Sequence, residues 1–247
     1  MRTIALVILL MLAGCATTST TVPKEKMAEG YYMRGLSHLE QRNYELALVE
    51  FQRSIQTDSK NKKAYYALGL VNYMQDKLKE AERFYKEALD VDSQFSEAHN
   101  ALGNVYAKQK KWKKAIKSYK QALKNTLYTT PHLPHLNIGS VYMAKKEYGK
   151  ATEAYRDSKR YANLEWTVYY LGMALLEGGK TKAAIREFRE GVELAPKNAF
   201  MRYGFALALL KGGRKKEAAA SFEKAAKLAP PKSDIARMAN DYIRTLR

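Results

Sequence analysis

The sequence contains a single cysteine, Cys15, so no disulfide bond can form within the chain. Folds held together by several disulfides are therefore excluded. Histidine is also scarce, with four residues, and only His132 and His135 are closely spaced. Two histidines three residues apart on a helix can supply two metal ligands, but no second Cys or His pair lies nearby. We therefore predict no metal site and no cofactor.

Recognisable catalytic motifs are missing as well. The sequence has no phosphate-binding glycine loop, no HExxH motif and no ordered Ser/His/Asp set. Its acidic residues fall mostly on predicted helix surfaces among lysines, where carboxylates are solvated or weakly paired. We predict that the protein is not an enzyme.

Long apolar segments are equally scarce. The apolar run at residues 4–13 has ten residues, whereas a transmembrane helix needs about 20. The run follows the positively charged Arg2 and precedes small residues, as in a signal peptide. A secreted or exported protein is therefore indicated.

The end of this segment, Leu12-Ala13-Gly14-Cys15, resembles the bacterial lipobox. The resemblance implies cleavage before Cys15 and attachment of acyl chains, which hold a protein firmly on a membrane. Residues 1–14 are then a lipoprotein signal peptide and residues 15–27 a lipidated tether. Alanine rather than aspartate at position 16 favours the periplasmic face of the outer membrane. An ordinary cysteine near a cleaved signal is the alternative.

Acidic residues are too few to balance the basic ones, and 43 Lys+Arg against 25 Asp+Glu give a net charge of +18. Such a charge fits nucleic acid, an anionic membrane, an acidic partner or a solvated lysine-rich surface. The densest basic runs are residues 108–114 and 211–216. Because an exported lipoprotein does not meet nucleic acid, we predict no nucleic-acid binding. Anionic lipid and peptidoglycan remain as partners of these two runs.

A recurring triplet organises most of the chain: a small residue, an alanine twelve residues later and an aromatic residue four further on. The successive alanines lie 34, 34, 36, 33 and 34 residues apart. A period near 34 is typical of stacked helical hairpins. The six triplets are Gly35/Ala47/Phe51, Gly69/Ala81/Tyr85, Gly103/Ala115/Tyr119, Gly139/Ala151/Tyr155, Gly172/Ala184/Phe188 and Ala206/Ala218/Phe222.

This pattern resembles the tetratricopeptide repeat family. The resemblance implies an all-α, right-handed superhelical solenoid, with six repeats over residues 28–232 and a capping helix over residues 233–247. Pro196 and Pro230 are predicted to end the second helices of repeats five and six. Two extra residues separate repeats three and four, which predicts a change in superhelix pitch, an exposed loop or a partner contact there.

In this family the first helix of each repeat lines a concave groove. Counting the triplet glycine as position eight, positions two, five, nine and twelve face that groove. Aromatic anchors and asparagine amides there suit a protein partner, although an aromatic stripe is also typical of a core. The predicted binding residues are Tyr32, Tyr66, Leu70, Tyr73, Asn100, Asn104, Met143, Trp166, Tyr169 and Tyr203, and the same positions include Leu36, Leu136, Ser140, Met173, Phe200 and Leu207.

A lipobox, a tether, six repeats and a cap resemble the secretin pilotins of type IV pilus systems. The first helices AHNALGNVY (98–106) and LPHLNIGSVY (133–142) also resemble those of that family. The resemblance implies a scaffold that binds a protein partner and assists secretin assembly in the outer membrane. The alternative is an adaptor for outer-membrane barrel-protein insertion or for peptidoglycan enzymes.

Overall fold

The computed structural model describes residues 23–246 and contains thirteen α-helices and no strand within that range. The first twelve pair into six antiparallel hairpins, one for each predicted repeat, and the thirteenth follows the last hairpin. The all-α solenoid is therefore confirmed. The helices are α1 (Lys24–Glu40), α2 (Tyr44–Thr57), α3 (Lys62–Met74), α4 (Leu78–Val91), α5 (Ser96–Lys108), α6 (Trp112–Ala122), α7 (His132–Ala144), α8 (Tyr148–Tyr161), α9 (Glu165–Glu177), α10 (Thr181–Leu194), α11 (Ala199–Lys211), α12 (Lys215–Leu228) and α13 (Asp234–Leu246).

The triplet forms the contact between the two helices of a hairpin. A Cβ placed on Gly103 would lie only 2.4 Å from the ring of Tyr119, which is 1% exposed. The triplet alanine between them, Ala115, is completely buried. The aromatic ring covers the glycine of its own repeat, and some of these rings also reach the next repeat, since a Cβ on Gly204 would lie 2.4 Å from the ring of Phe188. Gly35, Gly69, Gly139 and Gly172 face their own aromatic rings in the same way.

Each hairpin turns through a Schellman motif, in which the residue after the helix C-cap adopts a left-handed backbone. In the first repeat Asn43 donates its N–H to the His38 carbonyl, and Arg42 has φ of 60°. Glycine suits this conformation best, yet only repeats five and six use it. The left-handed residues of the six turns are Arg42, Asp76, Lys110, Lys146, Gly179 and Gly213.

The second helices end at the predicted junctions between repeats, and one junction is irregular. Pro196 and Pro230 lie beyond the last residues of α10 and α12, as predicted. The two extra residues contribute to a nine-residue loop at positions 123–131 between α6 and α7. Within it Tyr128 is buried while Leu127 is 85% exposed. The insertion therefore forms a loop that is anchored by one side chain.

The two ends of the array differ in detail from the predicted boundaries. Helix α1 begins at Lys24, so residues 24–27, which we assigned to the tether, are helical. Cys15 and the predicted signal peptide lie outside the described residues. At the other end Ser233 Oγ accepts the N–H of Ala236 at 3.4 Å and caps α13. Met238 of this cap helix is 42% exposed.

The first helices of neighbouring repeats contact one another along the array. Helix α1 contacts α3, α3 contacts α5, α5 contacts α7, and α9 contacts α11, which in turn contacts α13. Within the described range, second helices of adjacent repeats make no comparable contact. A stack that is tighter along one row of helices curves towards that row. The first helices therefore line the concave side.

Candidate partner-binding groove

Most predicted groove residues lie on the concave side with their side chains half-buried. This holds for Tyr32, Tyr66, Leu70, Tyr73, Asn100, Asn104, Met143 and Tyr169, and Trp166 is 45% exposed. Tyr203 is the exception, because it is only 5% exposed and its ring contacts Phe222 and Tyr242. It belongs to the packing of the cap and not to an accessible surface.

Several of these side chains also contribute to packing. The ring of Tyr66 lies 5.6 Å from those of both Tyr85 and Phe95. Tyr169 contacts Phe188 edge-on at 6.0 Å. Both interpretations of the aromatic stripe, as core and as groove, therefore apply, because each ring packs against a neighbouring ring and is still partly exposed.

A cluster of three asparagines joins repeats three and four in the middle of the groove. Asn137 Nδ2 donates to Asn100 Oδ1 and to Asn104 Oδ1, each at 3.1 Å. The Tyr119 hydroxyl donates to Asn104 Oδ1 at 2.8 Å. These bonds fix the orientation of the three amides. Among the described residues, the amide nitrogens of Asn100 and Asn104 have no hydrogen-bond acceptor, and both side chains are half-buried at the groove surface.

The asparagine cluster borders a cleft of about 280 Å³. Tyr73 and Trp112 supply aromatic surface, while Asn104 and Asn137 supply amides. Lys108 extends over the Tyr73 ring at 5.2 Å and pairs with Asp76 at 2.7 Å. The cleft lining comprises Tyr73, Asn104, Ala107, Lys108, Trp112, Tyr119, Asn137, Ser140 and Val141.

This combination of groups suits a segment of polypeptide. Amides with fixed orientation can donate to the carbonyl groups of an extended or helical segment, and aromatic surface can accept its apolar side chains. The cleft is open and smaller than most small-molecule sites. Its groups offer hydrogen bonds and apolar contact.

Tyrosine hydroxyls in this part of the groove are neutral donors. Burial raises the pKa of Tyr155 to about 12, and burial also raises the pKa of Tyr119. The Tyr155 hydroxyl lies 3.3 Å from Ser140 Oγ, which matches the Tyr119–Asn104 bond in the preceding repeat. Both hydroxyls are therefore uncharged at neutral pH.

Five cleft residues lie outside the predicted groove positions: Lys108, Trp112, Tyr119, Asn137 and Val141. Asn137 occupies position six of its first helix, which we did not assign to the groove. The equivalent residues in the other repeats are Met33, Ala67, Ala101, Tyr170 and Gly204. An amide in an otherwise apolar or small set was a usable signal. Trp112 and Lys108 flank the hairpin turn, so a scheme restricted to groove positions omits them.

The histidine pair does not form a metal site in the described part of the chain. His135 stacks on Tyr161 with ring centroids 5.5 Å apart, and its Nδ1 lies 4.0 Å from Asp157. Burial lowers the pKa of His135, which favours the neutral ring at pH 7. Residues 23–246 contain no cluster of three metal-ligating side chains. No helix in the same range is long and apolar enough to cross a bilayer.

Known structures resemble the protein over most of its length. The structure of PilF from Pseudomonas aeruginosa matches with a TM-score of 0.75 and 21% identity, covering 88% of this chain and 99% of that one. PilW, described as a widely conserved type IV pilus biogenesis factor, matches with a TM-score of 0.75 and 15% identity, covering 87% and 99%. YrrB, described as having an unusual peptide-binding site, matches with a TM-score of 0.61 and 21% identity, and the match covers 77% of this chain and 97% of YrrB. Comparison with curated protein sequences gives no match.

Family models agree with the repeat period. Three tetratricopeptide repeat models match the chain: one at residues 32–96 and 169–233, one at residues 96–125 and one at residues 134–163. The first model alone spans more than half of the sequence. The protein therefore belongs to the tetratricopeptide repeat family.

Proposed function

We propose that the protein is a non-enzymatic envelope scaffold that binds a segment of a protein partner in its groove and assists assembly of the type IV pilus secretin. The observation that carries this proposal is the match to PilF and PilW over 99% of each of those chains. Such coverage indicates that the whole array is shared and not merely a run of repeats. The match to YrrB, by comparison, covers 77% of this chain, and its TM-score of 0.61 is lower than the 0.75 of PilF and PilW.

The groove supports a role in recognition. Its centre offers oriented amides from Asn100, Asn104 and Asn137, and its lining adds the aromatic surfaces of Tyr73 and Trp112. Buried aromatic anchors with a few fixed polar groups are typical of sites that carry most of the energy of an interface. We place the partner segment across repeats two to four.

We further propose that the protein is anchored through lipid on Cys15 to the periplasmic face of the outer membrane. The lipobox-like sequence supports this location, and a secretin is assembled in that membrane. Replacing Cys15 with serine should move the protein from the membrane fraction to the soluble periplasmic fraction. A variant that still sediments with membranes contradicts the lipid anchor.

The function is tested by complementation of a strain that lacks the protein. We expect the strain to lose SDS-resistant secretin multimers and surface pili, and the wild-type chain to restore both. The double variant Asn100→Ala/Asn137→Ala should fail to restore them, because it removes two of the three groove amides and, with Asn137, a donor that orients Asn104. Asn104 keeps its bond from Tyr119, so the far-UV circular dichroism should be unchanged.

The matched control is Asn163→Ala/Asn240→Ala, which removes two exposed asparagines outside the groove. It should restore multimers and pili fully. Full restoration by the groove variant would contradict the binding site. Loss of outer-membrane barrel proteins, with secretin multimers intact, would contradict the pilus role and favour the alternative adaptor function.

A further inference from the structure

The positive charge of the described chain is concentrated on one edge of the array. The six hairpin turns lie on this edge, and the six loops that follow the second helices lie on the opposite edge. Net charge is counted over each turn or loop together with the last two residues of the preceding helix and the first three of the next helix. The turns carry −1, 0, +5, +2, +1 and +3, a net charge of +10. The loops on the opposite edge carry +2, −3, +1, 0, 0 and +1, a net charge of +1.

The hairpin turns follow one another along one edge of the array, and several neighbouring turns contact each other. Gln75 Nε2 donates to Glu45 across turns one and two at 3.2 Å, and Lys108 pairs with Asp76 across turns two and three. Lys211 Nζ donates to the Leu176 carbonyl across turns five and six at 2.9 Å. An added Cβ on Gly178 of turn five would lie 3.2 Å from Tyr148 Cβ beside turn four. The basic edge is defined here as the turns of repeats three to six.

Several cations on the basic edge occupy positions that are unfavourable for the fold. Lys113, Lys182 and Lys216 are each the second residue of a helix, where the positive end of the helix dipole disfavours a cation. All three are exposed, and none has a carboxylate partner among residues 23–246. Lys110 and Lys146 hold left-handed backbone positions that favour glycine. Residues that oppose local stability in this way are expected where a surface has another role.

The composition of the basic edge fits a bilayer better than a single bound group. Of its fourteen cations thirteen are lysine, the only arginine being Arg214. Lysine is a mobile point charge, whereas arginine provides the planar fork used for fixed carboxylates and phosphates. Trp112 and Tyr148, the first residues of α6 and α8, add half-buried aromatic rings to this edge. Such rings favour membrane–water interfaces.

We propose that the basic edge docks the array against a bilayer that contains anionic phospholipid headgroups. The interaction is electrostatic, and the basic edge meets the groove at Lys108 and Trp112, which also line the cleft. Lysines near an anionic membrane each strengthen binding, and salt screens them because the Debye length is about 10 Å at 0.1 M. The array would then lie with its turns towards the membrane.

The test is co-sedimentation of the purified full chain with lipid vesicles. The chain carries Cys15→Ser so that no acyl chain contributes. Vesicles of phosphatidylcholine alone are compared with vesicles that also contain about one-third phosphatidylglycerol, at low salt where surface charges are weakly screened. We expect the wild-type edge to bind the anionic vesicles selectively and to be released at high salt.

The edge variant is Lys113→Gln/Lys182→Gln/Lys216→Gln. At about 1 kcal/mol for each lysine, its affinity for anionic vesicles should fall about a hundredfold. Its melting temperature should not fall, because the three charges oppose their helix dipoles. The control Lys60→Gln/Lys63→Gln/Lys124→Gln removes the same charge from exposed positions on the opposite edge and should bind nearly as the wild type does.

Three results would overturn the proposal. One is equal binding to neutral and anionic vesicles, and another is equal loss of binding in the edge variant and its control. The third is retention on immobilised heparin without vesicle binding, which would assign the edge to a soluble polyanion. The assay involves neither acylation of Cys15 nor pili, so its failure is distinguishable from failure of the proposed function.

Discussion

Replacing Gly103 with alanine adds one methyl group at the point where the two helices of repeat three meet. The new Cβ would lie 2.4 Å from Cε1 and 2.5 Å from Cδ1 of Tyr119. Carbon atoms in contact are normally about 3.5–4.0 Å apart, so the ring must retreat by about 1 Å. Tyr119 is 1% exposed and its hydroxyl is bound to Asn104 at 2.8 Å, so the ring has little freedom to move.

The expected free-energy change combines opposing effects. Overpacking a filled core costs about 1–3 kcal/mol, and straining the Tyr119–Asn104 hydrogen bond costs up to about 1 kcal/mol. Alanine in place of glycine inside a helix returns about 1 kcal/mol. We therefore expect Gly103→Ala to lower the free energy of unfolding by about 1–2 kcal/mol. Urea denaturation followed by far-UV circular dichroism measures this change.

Gly30→Ala provides the matched control, because Gly30 lies within α1 and its added Cβ would meet only Arg34 Nη1 at 3.9 Å. It should stabilise the protein by about 0.5–1 kcal/mol. A second substitution, Tyr119→Leu, should offset part of the loss in Gly103→Ala, since a smaller side chain removes the close contact. If Gly103→Ala is as stabilising as Gly30→Ala, the proposed role of the triplet is refuted.

Two further predictions concern turn geometry and buried charge. Lys146 and Gly179 both have a left-handed backbone, with φ of 58° and 77°. Lys146→Gly should therefore raise the free energy of unfolding and Gly179→Ala should lower it, each by up to about 1 kcal/mol in urea denaturation. Changes of the opposite sign would contradict the Schellman assignment. The pKa of Glu50 lies below its usual value. Burial alone would raise this pKa, but the hydrogen bonds and positive charges of Arg34 and Arg53 lower it by more. A lowered pKa stabilises the fold above the unfolded-state pKa of about 4.3, and this contribution is lost as pH falls through the folded-state pKa. Glu50→Gln should therefore cost about 1–3 kcal/mol near pH 7 and much less in acid, whereas a pH-independent difference would contradict the ion-pair account.

The repeat architecture could be predicted from sequence because one contact recurs in each repeat. The glycine–aromatic contact requires a fixed spacing, so the pattern located the hairpins and their turns. It could not show the surroundings of Phe222 in repeat six, where Ala206 replaces the glycine. There the ring of Phe222 stacks on Tyr242 of the cap at 4.7 Å, and this partner lies outside the repeat period.

The groove was less predictable because its chemistry depends on contacts between repeats. Asn100 and Asn104 were identified from their position in α5, but their partner Asn137 lies 37 and 33 residues away. Which residue of α7 faces α5 depends on the rotation of one hairpin relative to the next. Tyr203 was misassigned for a related reason, since the added cap helix α13 covers a position that remains open in the inner repeats.

The irregular junction and the polar centre of the groove occur at the same place. Helix α6 has 11 residues where the other second helices have 14, and the loop that follows it, residues 123–131, has nine. This loop connects the hairpin that carries Asn100 and Asn104 to the hairpin that carries Asn137, so its length and its buried Tyr128 influence how the two hairpins meet. In a regular array the groove surfaces of successive repeats are alike. One altered junction can make the cleft beside it different from the others. The polar centre of the groove therefore lies where the repeat pattern departs from its period.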